Sequence, residues 1–196
     1  MATIGSRRTR LVGACIAVAL AAVSGCGGGS SSTPEPPCDQ ACQDASALRS
    51  LRDALKLAYN LELQGQPVGP QNATGPCPLG GTAHIAGTAT ANASVGSTQV
   101  SLTYVFTACA FSQTDTDPTQ NYQMKLDGTV TESGTIAQQP SAATSLAFAS
   151  SSISFSGSVY APSLPYAESD CALQMGQNGN QLSGTMCGRD VGVTLH

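Results

Sequence analysis

Apolar and polar residues alternate along most of the chain that follows Pro78, and this pattern restricts the fold more than any other. The odd-numbered positions of 83–91 share one face of a predicted strand, and the even-numbered positions of 100–108 share one face of the next. A period of two is typical of strands that bury one face and expose the other. The pattern therefore predicts consecutive strands of a half-buried sheet.

Two stretches leave the strand boundaries less clear. Asp127-Gly128 is a hairpin turn signal, but a turn there would set Leu126 against Thr129, so we predict one long, bent strand over 122–136. Gly128 and Gly134 then mark bulges or close backbone approach. The alternation also changes phase across 150–152, where a bulge and a tight turn both remain open.

One helix is predicted from about Asp39 to Leu63. Its apolar residues recur at helical spacing, and its polar residues lie mostly on the other side. Gly65 and Pro67 end it. The apolar positions are Leu48, Leu51, Leu55 and Ala58, and the polar ones are Arg49, Arg52, Asp53, Lys56 and Asn60.

These elements predict a mainly β fold, an antiparallel meander curled into a barrel or half-barrel. The N-terminal amphipathic helix would cover an opening or a face. A Greek-key sandwich is the alternative. With five Tyr, four Phe and no Trp, the interior has few bulky side chains, so we expect disulfides to compensate.

The first residues have the pattern of an export signal. Arg7, Arg8 and Arg10 precede an apolar stretch at 11–23. That stretch is shorter than the roughly 20 residues that a membrane-spanning helix needs. The sequence therefore predicts a cleaved leader in preference to a permanent helix.

The leader closes with Val23-Ser24-Gly25-Cys26, which resembles the lipobox of bacterial lipoproteins. The resemblance covers the leader alone. It implies that residues 1–25 are removed and that Cys26 is acylated. The acyl chains would attach the protein to a lipid membrane, which is its implied partner. Residues 26–37 would be a lipidated tether and residues 38–196 one domain. By the same resemblance the location is the bacterial cell envelope, and Gly27 in place of an aspartate favours the outer membrane.

Six cysteines remain after Cys15 and Cys26 are set aside, an even number that predicts three disulfides in an exported chain. Spacing favours Cys171 with Cys187 and Cys77 with Cys109, which leaves Cys38 with Cys42.

The Cys171–Cys187 hairpin needs a particular register. A two-residue turn at Asn178-Gly179 would pair Met175 with Leu182, and the two sulfurs could then meet only across a bulge at 183–185.

The sequence offers little chemistry. A Cys-x-x-x-Cys pair such as Cys38 and Cys42 resembles the metal site of thioredoxin-like copper-delivery proteins, but the βαβ pattern is missing, and a disulfide clip is the better interpretation. His84 falls on a polar strand face and His196 is the last residue. Asp115 and Asp117 fit a polar turn. We expect no cofactor, no metal and no catalytic residues.

Five basic and twelve acidic residues follow Cys26, a net charge of −7 that argues against nucleic acid as a partner. The favoured function is therefore a non-catalytic binding or envelope-structural domain, whose partner is a small apolar ligand or an envelope component. The alternative is an envelope-associated hydrolase. A lipid-carrying shell would need an apolar cavity of about 300 Å³ or more.

Overall fold

The computed structural model describes residues 38–63, 68–139 and 143–195. The chain divides into two compact units, Met1–Glu35 and Pro36–His196, and every described residue belongs to the second. The leader and Cys26 lie outside the described residues.

Within the described ranges, the second unit holds one α-helix, α1 (Gln40–Leu63), and eight strands joined in sequence order into one antiparallel sheet. The strands are β1 (Gly69–Pro76), β2 (Thr82–Asn92), β3 (Ser97–Gln113), β4 (Tyr122–Ala137), β5 (Ser145–Val159), β6 (Leu164–Asn178), β7 (Gln181–Met186) and β8 (Arg189–Thr194). The sheet is not closed, because β1 and β8 form its two edges. The predicted meander is confirmed, and its strand order is not that of a Greek key.

Helix α1 packs against the sheet and contacts both edge strands as well as β2, β3, β4 and β5. Asp39 Oδ1 accepts a hydrogen bond from the Cys42 backbone N–H at 2.9 Å, which caps the first turn. Leu48, Leu51 and Leu55 are each no more than 2% exposed. The helix boundaries predicted from the sequence are confirmed.

A line of bulges crosses the four central strands and bends them. Register shifts fall after Phe106 in β3, after Gly128 in β4, before Ile153 in β5 and between Glu168 and Cys171 in β6. These positions are neighbours across the sheet, since Gly128 pairs with both Phe106 and Ile153. Bulges increase local bend and twist, so their alignment curves the whole sheet.

The bulges settle the questions that the sequence left open. Tyr122–Ala137 is one bent strand, and the phase change near Ser150 is a bulge inside β5. A Cβ on Gly134 would lie 2.2 Å from the Ser145 carbonyl oxygen, which confirms close backbone approach there. The predicted inward position of Ala108 is wrong: its φ of 47° places it in the bulge, and Cys109 takes the inner face instead.

The six cysteines form the three predicted pairs. The Cα separations are 5.2 Å for Cys38–Cys42, 5.3 Å for Cys77–Cys109 and 4.5 Å for Cys171–Cys187. Four of these cysteines are buried in the domain, namely Cys38, Cys77, Cys109 and Cys171.

The predicted register of the C-terminal hairpin is wrong. The turn lies at Gly179–Asn180, so that Asn178 pairs with Gln181, and β6 and β7 then pair without interruption through 183–185. Gly179 has φ of 59°, and two-residue hairpin turns require a positive φ at their first central position, which glycine adopts readily.

No bulge is needed for the cysteines of this hairpin to meet. Cys187 and Gly188 both have positive φ and form the next turn, which places the Cys187 sulfur beside Cys171.

The sequence analysis missed β1. It contains Pro70 and Pro76, which are tolerated because β1 is an edge strand and pairs with β2 alone. Its eight residues are held by antiparallel pairing rather than by strand propensity.

Candidate functional site

A polar pocket of about 420 Å³ lies along the outer side of α1. We call it the α1 pocket. It is bounded by the helix, by the segment that follows β3 and by the turn between β6 and β7. Its lining residues are Arg49, Arg52, Asp53, Lys56, Gln113, Asp115, Gln120, Gln177, Gly179, Asn180 and Leu195.

Three of the five basic residues that follow Cys26 line this pocket. Arg49, Arg52 and Lys56 are spaced by three and four residues, which puts them on one stripe of the helix. The sequence analysis placed them on the polar side of α1 but gave no reason to expect a pocket there. The pocket forms because segments distant in sequence converge on this stripe.

Arg49 is held by the segment after β3. Its Nη1 donates to the Thr119 carbonyl oxygen at 3.1 Å, and Ser46 Oγ donates to the same oxygen at 2.8 Å. Its Nε is buried and has no hydrogen-bond partner among the described residues. Arg49 thus has more donors than the surrounding protein satisfies.

Arg52 is held from the opposite side of the pocket. Its Nε donates to Gln177 Oε1 at 2.7 Å, and its guanidinium carbon lies 5.9 Å from the centre of the Phe148 ring. Gln177 is itself fixed, because its Nε2 donates to the Gly179 carbonyl at 2.8 Å. Among the described residues, the hydrogen-bond and ring contacts of this guanidinium are thus with neutral groups.

The carboxyl group of Glu132 is buried on the inner face of the sheet, where it interacts electrostatically with Arg52. Glu132 is 3% exposed, and Tyr104 donates its hydroxyl hydrogen to Glu132 Oε2 at 2.7 Å. Burial raises the pKa of Glu132, although the Tyr104 hydrogen bond and the charge of Arg52 act in the other direction. Burial and the neighbouring Glu132 also raise the pKa of Tyr104.

The sequence analysis missed Glu132. The residue shares the parity of the inward-facing positions of β4, and that parity was the available signal.

Two carboxylates complete the pocket. Asp53 Oδ2 accepts from the Tyr122 hydroxyl at 2.7 Å, and Asp115 Oδ1 accepts from the Asp117 backbone N–H at 2.9 Å. Within the described ranges, neither of them forms an ion pair with Arg49, Arg52 or Lys56. With three cations and two carboxylates, the pocket lining has a net charge of +1 in a strongly acidic domain.

A second buried polar cluster joins the start of α1 to β6 and β8. Arg189 Nε donates to Asp44 Oδ2 at 2.7 Å and its Nη2 to Glu168 Oε1 at 2.6 Å, while the Tyr166 hydroxyl donates to Asp44 Oδ1 at 2.8 Å. Burial opposes ionisation of Asp44, but hydrogen bonds led by Arg189 hold its pKa below the ordinary value. This cluster fixes the helix and does not line the α1 pocket.

The other polar residues singled out in the sequence have local contacts. His84 Nδ1 lies 2.8 Å from Thr74 Oγ1 on β1, so its partner is a hydroxyl. Asp117 caps a short 3₁₀ turn at Pro118–Gln120, and the hydrogen bonds from Thr119 lower its pKa. No group of three or more potential metal ligands occurs in the part of the chain that the structure describes. Cys26 and His196 lie outside that part.

The space next to Cys77, beside the helix, is small. A pocket lined by Ala58, Cys77 and Phe111, among others, has a volume of about 10 Å³, which holds about one water molecule. A pocket of about 390 Å³ adjoins the α1 pocket through Asp53 and Lys56, which line both.

The comparisons with known proteins yield no relative. No family model, no curated protein and no solved structure matches the chain. Among the described residues, α1 is too polar to cross a membrane, and no other helix approaches the necessary length. In its described part, the chain is an antiparallel meander of eight strands packed against one α-helix.

Proposed function

We propose that this chain is an exported, lipid-anchored, non-catalytic domain of the bacterial cell envelope that binds a soluble ligand in the α1 pocket. Export and anchoring rest on the leader and on Cys26. Residues 27–37 would join the acylated Cys26 to the domain.

The observation that carries the binding proposal is the α1 pocket itself. Its volume of about 420 Å³ falls in the range of small-molecule sites, which is about 300–1,000 Å³. Its side chains come from separate elements, and Arg52 and Gln177 are fixed by contacts of their own. Fixed polar groups around a concave space favour binding, because little side-chain entropy is lost when a ligand arrives.

A polar ligand is favoured over an apolar one. The concave face of the sheet, where an apolar ligand would have to lie, is packed against Leu48, Leu51 and Leu55 of α1. The volume next to Cys77 is about 10 Å³, far below the size of a lipid chain. The α1 pocket is larger and more polar than the space next to Cys77.

A hydrolase function has less support than binding. Serine-type catalysis needs a base that is oriented by a carboxylate. His84 contacts Thr74 instead and lies on the outer face of β2. We therefore favour binding without chemistry.

The anchor is tested by expressing the full chain and its Cys26→Ser variant in a bacterium. Palmitate labelling and partition into the detergent phase should be lost in the variant, while circular dichroism of the folded domain stays unchanged. Detergent-phase partition of Cys26→Ser would contradict the anchor. Binding in the α1 pocket is tested by ligand titration.

A further inference from the structure

We infer that the α1 pocket binds a hydroxylated anion, a sugar acid or a sugar phosphate. The inference rests on the proposed function and assigns its ligand class. Two sets of side chains carry it: the cations on the helix stripe and the amides on the opposite walls.

The cations would hold the charged end of the ligand. Among the described residues, Arg49 and Arg52 donate hydrogen bonds to neutral oxygens, Thr119 O and Gln177 Oε1, and neither forms an ion pair. Lys56 is exposed at the same stripe of α1. By contrast, Arg189, which lies outside the pocket, is paired with two carboxylates. The pocket cations therefore keep charge and donors that a carboxylate or phosphate can use.

The amides would hold hydroxyl groups. Gln113, Gln120 and Asn180 line the walls that face the helix, whereas the amide of Gln177 is already bonded to Arg52 and Gly179. An amide offers both donors and an acceptor, which matches the donor and acceptor character of a hydroxyl. Asp53 and Asp115 add acceptors for hydroxyl hydrogens, although they would repel an anion placed beside them. The ligand charge is thus expected at Arg49, Arg52 and Lys56, away from both carboxylates.

The acidic character of the whole domain works against anions only at long range. Charges separated by more than about 10 Å are largely screened at 0.1 M salt. Contacts inside the pocket are shorter and are screened less. The local balance of three cations and two carboxylates therefore decides binding, rather than the net charge of the domain.

The test is a titration of the purified, ¹⁵N-labelled full chain in detergent with four probes: glucuronate, glucose 6-phosphate, glucose and inorganic phosphate. The amide signals of Gly179 and Asn180 report on the pocket. We expect saturable shifts with glucuronate or glucose 6-phosphate. Glucose and inorganic phosphate should each bind at least tenfold more weakly, because each lacks one of the two recognised features.

The variants Arg49→Gln and Lys56→Gln should each weaken binding of the anionic sugar by about tenfold, as expected when one charge-assisted contact is lost. Lys125→Gln is the matched control: it makes the same change of charge at an exposed residue of β4 outside the pocket, and it should leave binding unchanged. Equal losses in Lys125→Gln would mean that general charge is responsible and would overturn the inference.

The remaining outcomes separate this inference from the proposed function. If glucose binds as well as the anionic sugars, the ligand class is wrong while binding in the α1 pocket stands. If no probe shifts Gly179 or Asn180, both the ligand class and the assignment of binding to the α1 pocket are overturned. The anchor is tested independently by the Cys26→Ser variant.

Discussion

Tyr104 and Glu132 form a hydrogen bond of 2.7 Å inside the curved sheet, where both side chains are almost completely buried. Tyr104 lies on β3 and Glu132 on β4, and Arg52 of α1 contributes its charge from the helix side. The pair places a titratable group in the interior beneath the helix. The pH dependence of folding should therefore report on it.

The first prediction concerns Glu132→Gln. The pKa of Glu132 in the folded state is raised above its ordinary value. Its protonated form therefore contributes stability that is fully present below the ordinary pKa, and this stability is lost as pH rises through the folded-state pKa. The variant has no such group, and its stability relative to the wild type should grow between pH 4 and pH 8. The gain is about 1.4 kcal/mol for each unit by which the pKa is raised.

Urea unfolding at several pH values measures this difference. Gln123→Ala, which truncates an exposed neutral side chain of the same strand as Glu132, is the control and should show no comparable trend. A constant difference between wild type and Glu132→Gln across the range would contradict the burial of an ionisable Glu132.

The second prediction concerns Asp44→Asn and has the opposite sign. The pKa of Asp44 is lowered in the folded state, so its contribution is present above about pH 4 and is lost as pH falls through the folded value. At pH 7 the variant should lose about 1–3 kcal/mol, less than a fully buried pair because the Arg189 side chain is 37% exposed. The deficit should shrink towards pH 2. Thermal unfolding across this pH range checks it, and a deficit that stays constant down to pH 2 would argue against an ionised Asp44.

The third prediction ranks the disulfides by the loops that they close. Their sequence separations are 32 for Cys77–Cys109, 16 for Cys171–Cys187 and 4 for Cys38–Cys42. By the chain-entropy estimate, double replacement by serine should cost about 4, 3 and 2 kcal/mol, respectively. Denaturant unfolding gives the ranking, and non-reducing peptide mapping checks the pairs. A peptide linking Cys171 to any residue other than Cys187 would refute the hairpin.

The fourth prediction concerns His84→Ala. His84 contacts Thr74 on the outer face of the sheet, so its loss should change stability by no more than about 0.5 kcal/mol, as for an ordinary surface substitution. Thr74→Ala should behave in the same way. Ligand binding in the α1 pocket should be unaffected. A large loss of either property would return His84 to consideration as a functional residue.

The parts of the fold that the sequence predicts are those with local signals. The continuity of β4 through Asp127-Gly128 follows from the poor match that a turn there would make, and α1 follows from its leucine spacing. The hairpin turn at Gly179–Asn180 was misplaced by one residue, because Asn178-Gly179 is also a valid turn pair.

The pocket depends on non-local structure. Arg52 and Gln177 are 125 residues apart, and no periodicity connects them. Strand β1 is not evident from the sequence for a related reason. Its proline- and glycine-rich residues have low strand propensity, and their pairing with β2 is a non-local contact. Glu132 could have been found from its parity among inward-facing residues.

Helix α1 fills the concave face of the sheet, and this packing leaves the outer stripe of the helix as the place for a ligand. Native-state hydrogen exchange of the full chain tests it directly. The amides of residues 48–58 should exchange as slowly as the central amides of β3 and β4, through global unfolding. Exchange of α1 at least a hundredfold faster than that of the strands would show that the helix opens separately, and would contradict the packing on which the α1 pocket depends.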